Sequence, residues 1–113
     1  SAGKVGPRRV FATLPAKGES QPDAKPDGMA LDEMGNLYVA HYGMGRVQVL
    51  DRQGQLLASL PGAGVFTSNV AFGGPARTQL FVTGSVGPTE QTTGMLVRLE
   101  LPIAGLRILP EAR

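Results

Sequence analysis

The stretch Pro26-Asp27-Gly28-Met29-Ala30-Leu31 decides the fold, because the chain repeats its pattern 41 residues later as Thr67-Ser68-Asn69-Val70-Ala71-Phe72. The stretch Leu37-Tyr38-Val39-Ala40 is repeated in the same way by Leu80-Phe81-Val82-Thr83. A repeat of four short strands every ~40–50 residues is typical of the blades of a β-propeller. One polar insertion at residues 86–93 accounts for the wider spacing later in the second repeat. We therefore expect two successive blades.

Short apolar runs fill both repeats. Most runs have four to six residues and are bounded by Gly, Pro, Asp or Asn, a pattern that predicts strands and not helices. Helical apolar periodicity extends over ten residues nowhere in the chain. The predicted strands are residues 10–14, 28–31, 37–40, 46–50, 55–60, 68–72, 79–83, 95–100 and 106–109.

These strands predict an all-β fold, namely a partial β-propeller with about two four-stranded antiparallel blades plus one extra outer strand. The predicted division is an outer strand of a preceding blade plus a linker in residues 1–25, a blade in 26–61, and a second blade in 62–113 with an inserted loop at 86–93. Two blades and a lone strand cannot close a ring, because propellers need ~4–8 blades. We expect either a piece of a longer propeller or identical chains that assemble to complete one.

Composition excludes several other classes of protein. The 113 residues include 16 glycines and nine prolines, which together are about twice the ordinary share and too many for a helical bundle. Hydrophobic residues make up 42% of the chain and its formal net charge is only +2, so we do not expect charge-driven disorder. Because the chain has no cysteine, it can form neither a disulfide nor a thiolate metal site.

Two turns share the pattern Asp-x-x-Gly-x-Leu, at residues 32–37 and 51–56. An aspartate that opens such a turn can accept backbone N–H bonds, and a glycine three residues later can adopt a positive φ. Both turns therefore predict tight hairpins between antiparallel strands. Residues 72–80, which contain Gly73-Gly74-Pro75, predict a longer hairpin of the same kind.

Three motifs together resemble the SMP-30/gluconolactonase/LRE family. They are residues 26–32 (PDGMALD), 35–40 (GNLYVA) and 43–47 (GMGRV). The resemblance continues through Thr67-Ser68, residues 71–75 (AFGGP) and Gly94-Met95-Leu96. It implies that the chain is the C-terminal part of a six-bladed propeller, in agreement with the separate count of blades. It also implies a metal-dependent lactonase with a divalent cation, commonly calcium, in the central channel.

The resemblance assigns one metal ligand in this chain, Asp27, which occupies the position of the family's aspartate in its Pro-Asp-Gly-Met stretch. A carboxylate at the inner start of a blade can point into the channel and hold a hard cation. The family's other ligands, a glutamate and an asparagine, belong to blades outside this chain. Without the resemblance, Asp27 is better explained as a turn or strand-start carboxylate that caps backbone N–H groups.

Three other polar residues are weaker candidates. Ser68 stands at the position equivalent to Asp27 in the next repeat, so we assign it a substrate-binding role, with a satisfied strand hydroxyl as the alternative. Asn69 follows it and, by strand alternation, should point away from the channel. His41 is the only histidine, and we expect it to lie at the rim or to pack.

The first functional hypothesis is a piece of a calcium-dependent lactonase-like propeller that hydrolyses sugar lactones or related cyclic esters. Calcium takes about six to eight oxygen ligands, so one carboxylate would bind it weakly, and the chain alone should be inactive. The catalytic residues stay unassigned, and whether this chain is itself an enzyme stays open. The alternative is a non-catalytic propeller module that self-assembles or pairs with a missing half.

The sequence excludes some partners. The basic residues are not interleaved with aromatic residues as in nucleic-acid-binding proteins, so we expect no nucleic acid. Apolar runs are far shorter than the ~18 residues that cross a bilayer, so we expect no membrane association. The expected partners are a small-molecule lactone for the parent protein and identical chains in a homo-oligomer. We place the protein in the cytoplasm, with the periplasm as the alternative.

Overall fold

The computed structural model describes residues 3–16, 24–87 and 93–108. Within these ranges the chain forms seven strands and no helix. Among the described residues no helix has the length and apolar character needed to cross a membrane. The strands are β1 (Lys25–Leu31), β2 (Leu37–Tyr42), β3 (Arg46–Leu50), β4 (Leu56–Pro61), β5 (Asn69–Gly73), β6 (Gln79–Val86) and β7 (Thr93–Glu100).

The strands form two antiparallel sheets, ordered β1-β2-β3-β4 and β5-β6-β7. Within each sheet, strands that are consecutive in the sequence pair with one another. The predicted all-β, antiparallel architecture is confirmed, and the first sheet has the four strands expected of a blade. The second sheet has three among the described residues. The predicted strand at 106–109 is wrong for residues 106–108, because the Leu106 N–H donates to the Leu31 carbonyl of the first sheet at 2.9 Å, and residue 109 lies outside the described ranges.

The two Asp-x-x-Gly-x-Leu turns adopt the predicted geometry. In each turn the aspartate Oδ1, of Asp32 or Asp51, accepts the backbone N–H groups two and four positions later, all at 2.9 Å. Gly35 and Gly54 have φ values of 86° and 83°. A side chain disfavours this left-handed conformation, so glycine is needed there. These turns fix the β1–β2 and β3–β4 hairpins.

Asp32 is the more deeply buried of the two turn aspartates, with 1% of its surface exposed. Its Oδ2 accepts hydrogen bonds from the Asn36 amide at 2.9 Å and the Tyr38 hydroxyl at 3.0 Å. Burial alone would raise the pKa of Asp32, but the hydrogen bonds from Asn36, Tyr38 and Met34 outweigh burial and hold the pKa below its usual value. Burial and the Asp32 carboxylate together raise the pKa of the Tyr38 phenol.

One apolar core joins the two sheets. β1 and β2 lie against β5, and the rings of Tyr38 and Phe72 meet edge to face with their centroids 5.0 Å apart. Alternate residues of a strand point to the same face, which is why every second residue of β2, β3 and β6 enters this core. Its buried members are Tyr38, Ala40, Val47, Val49, Ala63, Val70, Leu80 and Val82.

The connection between the sheets, residues 62–68, is tied to strand ends on both sides. The Val65 carbonyl accepts the N–H groups of Gly43 and Gly45 at 2.9 and 3.2 Å, and the Phe66 N–H donates to Ser85 at 3.2 Å. Thr67 is fully buried, and its hydroxyl accepts from the Ala63 N–H at 2.9 Å and donates to the Gly64 carbonyl at 2.7 Å. The connection therefore fixes where β5 begins.

The chain after β7 joins the two sheets at the end that lies away from the 62–68 connection. Gly105 forms an isolated bridge with Asp32, and its N–H donates to the Arg77 carbonyl at 2.7 Å. The Arg77 side chain donates back to the Gly105 carbonyl at 3.1 Å and lies 3.9 Å from Glu33. Arg77 has a φ of 58°, which is uncommon for a residue with a side chain. A Cβ on Gly105 would overlap the ring of Phe72.

The predicted outer strand at residues 10–14 is not a strand in the structure. These residues have no ladder partner among the described ones, and Val10 and Phe11 are largely exposed. The segment lies beside the β3–β4 turn, where a Cβ on Gly54 would be 2.5 Å from the Phe11 carbonyl oxygen. The apolar pattern predicts a strand correctly only when a neighbouring strand accepts its hydrogen bonds. The predicted insertion at 86–93 includes residues 88–92, which lie outside the described residues, and the division of the chain into blades stays a prediction.

Gly105→Ala is expected to lower the free energy of unfolding by about 1–3 kcal/mol, because the added methyl group would force the core residue Phe72 to move. Urea denaturation measures this change. Gly6→Ala is the control, since nothing lies within 4 Å of a Cβ built there. Equal stability of the two variants would contradict the close packing at Gly105.

Asp32→Asn is expected to lower the free energy of unfolding at pH 7 by about 1–3 kcal/mol. The substitution replaces the oxygen that accepts hydrogen bonds from Asn36 and Tyr38 with an NH2 donor. The folded pKa is depressed, so the stabilisation is full above the unfolded pKa of about 3.9 and disappears as the pH falls through the folded pKa. The difference in the free energy of unfolding between wild type and Asp32→Asn should therefore become smaller from about pH 5 downwards. Asp51→Asn, whose Oδ1 can still accept the Gln53 and Gln55 N–H groups near the surface, should have the smaller effect. A gap that does not change with pH would refute this account.

Candidate functional site

Asp27 lies on a β-bulge in β1. Pro26 pairs with His41 and Met29 pairs with Val39, so Asp27 and Gly28 together oppose a single residue of β2. A bulge of this kind interrupts the ladder and redirects a side chain. The Asp27 side chain is exposed, as a ligand for an external group must be.

The bulge lies directly against the start of the second sheet. The Gly28 N–H donates to the Ser68 carbonyl at 2.9 Å. A Cβ on Gly28 would overlap the Asn69 side-chain amide and come within 2.9 Å of the Asn69 Cα. Gly28 is therefore required for the close approach of two backbones. The repeated sequences that predict Asp27 and Ser68 as equivalent positions thus lie side by side.

Ser68 is half-buried immediately before β5. Its N–H donates to the Thr83 carbonyl at 2.8 Å, and its hydroxyl lies 3.3 Å from that carbonyl and 3.2 Å from the Thr83 hydroxyl. These contacts are those of the satisfied strand hydroxyl named as the alternative. The substrate-binding role of Ser68 stays a prediction.

Asn69 is a neighbour of the Asp27 bulge that sequence reasoning missed. Strand alternation predicts that its side chain points away from the channel, which stays a prediction, and in the structure its amide packs over Gly28. The Asn69 Oδ1 accepts the Val70 N–H at 2.9 Å, a local bond that turns the side chain back along its own backbone. No signal in the sequence distinguishes this rotamer from an outward one.

His41 packs in the first sheet. It is 2% exposed, and its Nδ1 lies 2.9 Å from the Gln48 Nε2. Burial lowers the pKa of His41, so the imidazole is neutral at pH 7. With the Gln48 amide as donor, Nδ1 accepts and Nε2 carries the proton. Of the two roles predicted for His41, the structure supports packing.

Aromatic rings and a cation lie at the same end of β1 as Asp27. Lys25 pairs with Tyr42 in the ladder, and its Nζ lies 5.4 Å from the centre of the Tyr42 ring. Tyr42 in turn contacts Phe66 with the ring centroids 5.3 Å apart. A positive charge over an aromatic face is favourable. This end of the sheet therefore presents both a carboxylate and an ammonium group.

Oxygen donors decide whether this end of β1 suits a calcium ion. The Asp27 carboxylate supplies oxygen atoms, which hard cations prefer. Among the described residues no group of three or more His, Cys, Asp or Glu side chains could hold a metal ion. The role of Asp27 as a ligand stays a prediction, and a full calcium shell of about six to eight oxygens needs donors beyond this one carboxylate.

An open depression of about 510 Å³ lies at the other end of the first sheet, between the two hairpin turns. Glu33, Asn36, Asp51 and Arg52 are among the residues that line it. The Arg52 Nε donates to the Met34 carbonyl at 2.9 Å, which joins one turn to the other. The position of this depression separates it from Asp27, which stands at the start of β1.

The sequence of the chain is similar to sequences of known proteins. Residues 1–86 match the family model described as SMP-30/Gluconolactonase/LRE-like region. The chain is 31% identical to pentonolactonase XacC of Haloferax volcanii over 114 aligned positions. This alignment covers 91% of this chain and 38% of that protein.

Solved structures show the same similarity. A calcium-binding protein, regucalcin from Agrobacterium tumefaciens, aligns with a TM-score of 0.72 and 25% identity over 89% of this chain and 35% of its own. A luciferin-regenerating enzyme aligns with a TM-score of 0.61 and 31% identity over 72% of this chain and 30% of its own. The chain thus spans less than two fifths of the length of each of these relatives.

Proposed function

Because the chain belongs to the SMP-30/gluconolactonase/LRE-like family, we propose that it forms part of a calcium-dependent lactonase-like propeller. The proposed reaction is the hydrolysis of sugar lactones or related cyclic esters. In this proposal Asp27 contributes a carboxylate to the cation in the central channel. Two relatives support the chemistry, since one is named a pentonolactonase and another a calcium-binding protein.

The observation that carries the proposal is the placement of Asp27 on the β1 bulge. Carboxylates that only cap a turn accept backbone N–H bonds, as Asp32 and Asp51 do in this chain. Asp27 instead is exposed on a strand whose ladder is interrupted at that point. An exposed carboxylate beside other oxygen donors can hold a divalent cation.

A divalent cation held by Asp27 would supply the polarisation of the lactone carbonyl and the activation of water. This chain's own residues would hold and orient the reacting groups. The Asp27 carboxylate would hold the cation, and the Ser68 carbonyl fixes the backbone beside it by accepting the Gly28 N–H. In this proposal the Ser68 hydroxyl would exchange its bond to the Thr83 carbonyl for a hydrogen bond to a substrate oxygen.

The activity belongs to a complete ligand set in this proposal. One carboxylate leaves most of the coordination sphere of calcium to other donors. The family resemblance attributes two of these donors to a glutamate and an asparagine in other blades. We therefore expect the 113 residues alone to be inactive, with lactone hydrolysis appearing only when the other blades are present.

Asp27→Ala in the complete gene product is expected to lower calcium-dependent kcat/KM for a sugar lactone by about 100-fold or more, which equals a loss of about 2.7 kcal/mol of transition-state stabilisation. The assay titrates calcium and follows proton release. Asp51→Ala, at the other end of the first sheet, is the control and should retain activity. Calcium-dependent turnover that survives Asp27→Ala would remove Asp27 from the proposed site.

A second candidate function is a non-catalytic propeller module that assembles with copies of itself. The observation that favours it is the outer side of β7, which pairs only with β6 among the described strands. Leu96 on β7 is 69% exposed, and Met95 beside it is also exposed. An open edge with apolar side chains can recruit another strand.

Light scattering distinguishes this second candidate. Self-assembly predicts a mass that is a multiple of 11.8 kDa. Leu96→Lys should shift the equilibrium towards single chains, because a charged strand edge opposes the addition of another strand. A stable mass of one chain at every concentration would contradict self-assembly.

A further inference from the structure

The bulge that carries Asp27 is held from the second sheet. The β1–β2 ladder is interrupted here, because Asp27 and Gly28 share one opposing residue of β2. The Gly28 N–H donates to the Ser68 carbonyl at 2.9 Å. The backbone next to the Asp27 carboxylate is therefore fixed by residues that come about 40 positions later in the sequence.

Asn69 adds a second contact at the same point. Its side-chain amide covers Gly28 so closely that a Cβ there would overlap it. The bond from the Val70 N–H to the Asn69 Oδ1 fixes this rotamer at 2.9 Å. Asn69 is itself exposed, so the contact with Gly28 is not a by-product of burial in the core.

We propose that Asn69 is a positioning residue for Asp27. Together with the Ser68 carbonyl it forms a clamp, the Ser68–Asn69 clamp, that holds the Asp27–Gly28 bulge in one conformation. The clamp presents the Asp27 carboxylate to the cation without the Asn69 amide binding the cation itself. This inference rests on the proposed calcium site and adds a role that neither the repeats nor the motif spacing indicates.

The physical effect of such a clamp is preorganisation. A flexible bulge must lose conformational freedom when its carboxylate binds a cation, and a bulge that is already fixed does not. Residues that orient metal ligands typically change metal affinity by about 10- to 100-fold when they are removed. We expect an effect near the lower end, since the Ser68 carbonyl still holds Gly28 when the Asn69 amide is gone.

The test uses two measurements on the complete gene product. Amide hydrogen exchange of Gly28 reports on the clamp without any metal, and calorimetric titration with Ca²⁺ reports on the site. Asn69→Ala should speed exchange at Gly28 and raise the Kd for Ca²⁺, each by about tenfold. Asn69→Asp should restore both towards wild type, because its Oδ1 can accept the same Val70 N–H.

Two further variants control for stability. Gly28→Ala should also speed exchange in the bulge, because the methyl group displaces the Asn69 amide. Gly94→Ala is its matched control in β7, where nothing lies within 4 Å of the added Cβ. Thermal unfolding of Asn69→Ala should stay close to wild type, since an exposed side chain contributes little to the core.

The outcomes separate this inference from the proposed function. If Asp27→Asn leaves the Kd for Ca²⁺ unchanged, the calcium site itself is wrong. If Asp27→Asn abolishes binding but Asn69→Ala leaves the Kd unchanged, the positioning role is overturned. A raised Kd with unchanged exchange at Gly28 also overturns it, because Asn69 would then act as a direct ligand.

Discussion

The two sheets depend on a close backbone approach where β1 passes the start of β5. Gly28 makes this approach by the absence of a side chain, and its N–H donates a hydrogen bond to the Ser68 carbonyl. Gly105 has the same role at the far end, where it fits beneath the ring of Phe72. Between these two points the apolar side chains of both sheets interlock. A side chain at either glycine would have to displace its neighbour, the Asn69 amide at Gly28 or the Phe72 ring at Gly105.

The turns and the first sheet could be predicted from the sequence because their causes are local. Asp32 and Gly35 determine a hairpin within six residues, and alternation determines which side of β2 is buried. The prediction of a strand at residues 10–14 was wrong because strand pairing depends on a neighbouring strand and not on the apolar pattern. The prediction at residues 106–108 was wrong because the Leu106 N–H bonds to the first sheet instead of extending the second. The contacts of Gly105 with Arg77 and Asp32 had no local signal at all.

The candidate site divides along the same line. The family resemblance predicts Asp27 as a ligand from a short motif, and that role stays a prediction. The need for glycine at position 28 could not be predicted, because the Asn69 amide that leaves no room for a side chain there belongs to another strand. His41 looked like a candidate on residue type alone, and its burial beside Gln48 gave it a packing role. Residue type thus suggests chemistry, while the tertiary contacts decide which residues are available for it.

The bridge between Asp32 and Gly105 also has a consequence for the order of folding. Hairpins close over a few residues, so the two sheets can form from local contacts at little loop entropy. The bridge joins the β1–β2 turn to the segment after β7, which are far apart in the chain, and such contacts form slowly. We therefore expect docking of preformed sheets to be the late step, with the segment after β7 adding its hydrogen bonds last.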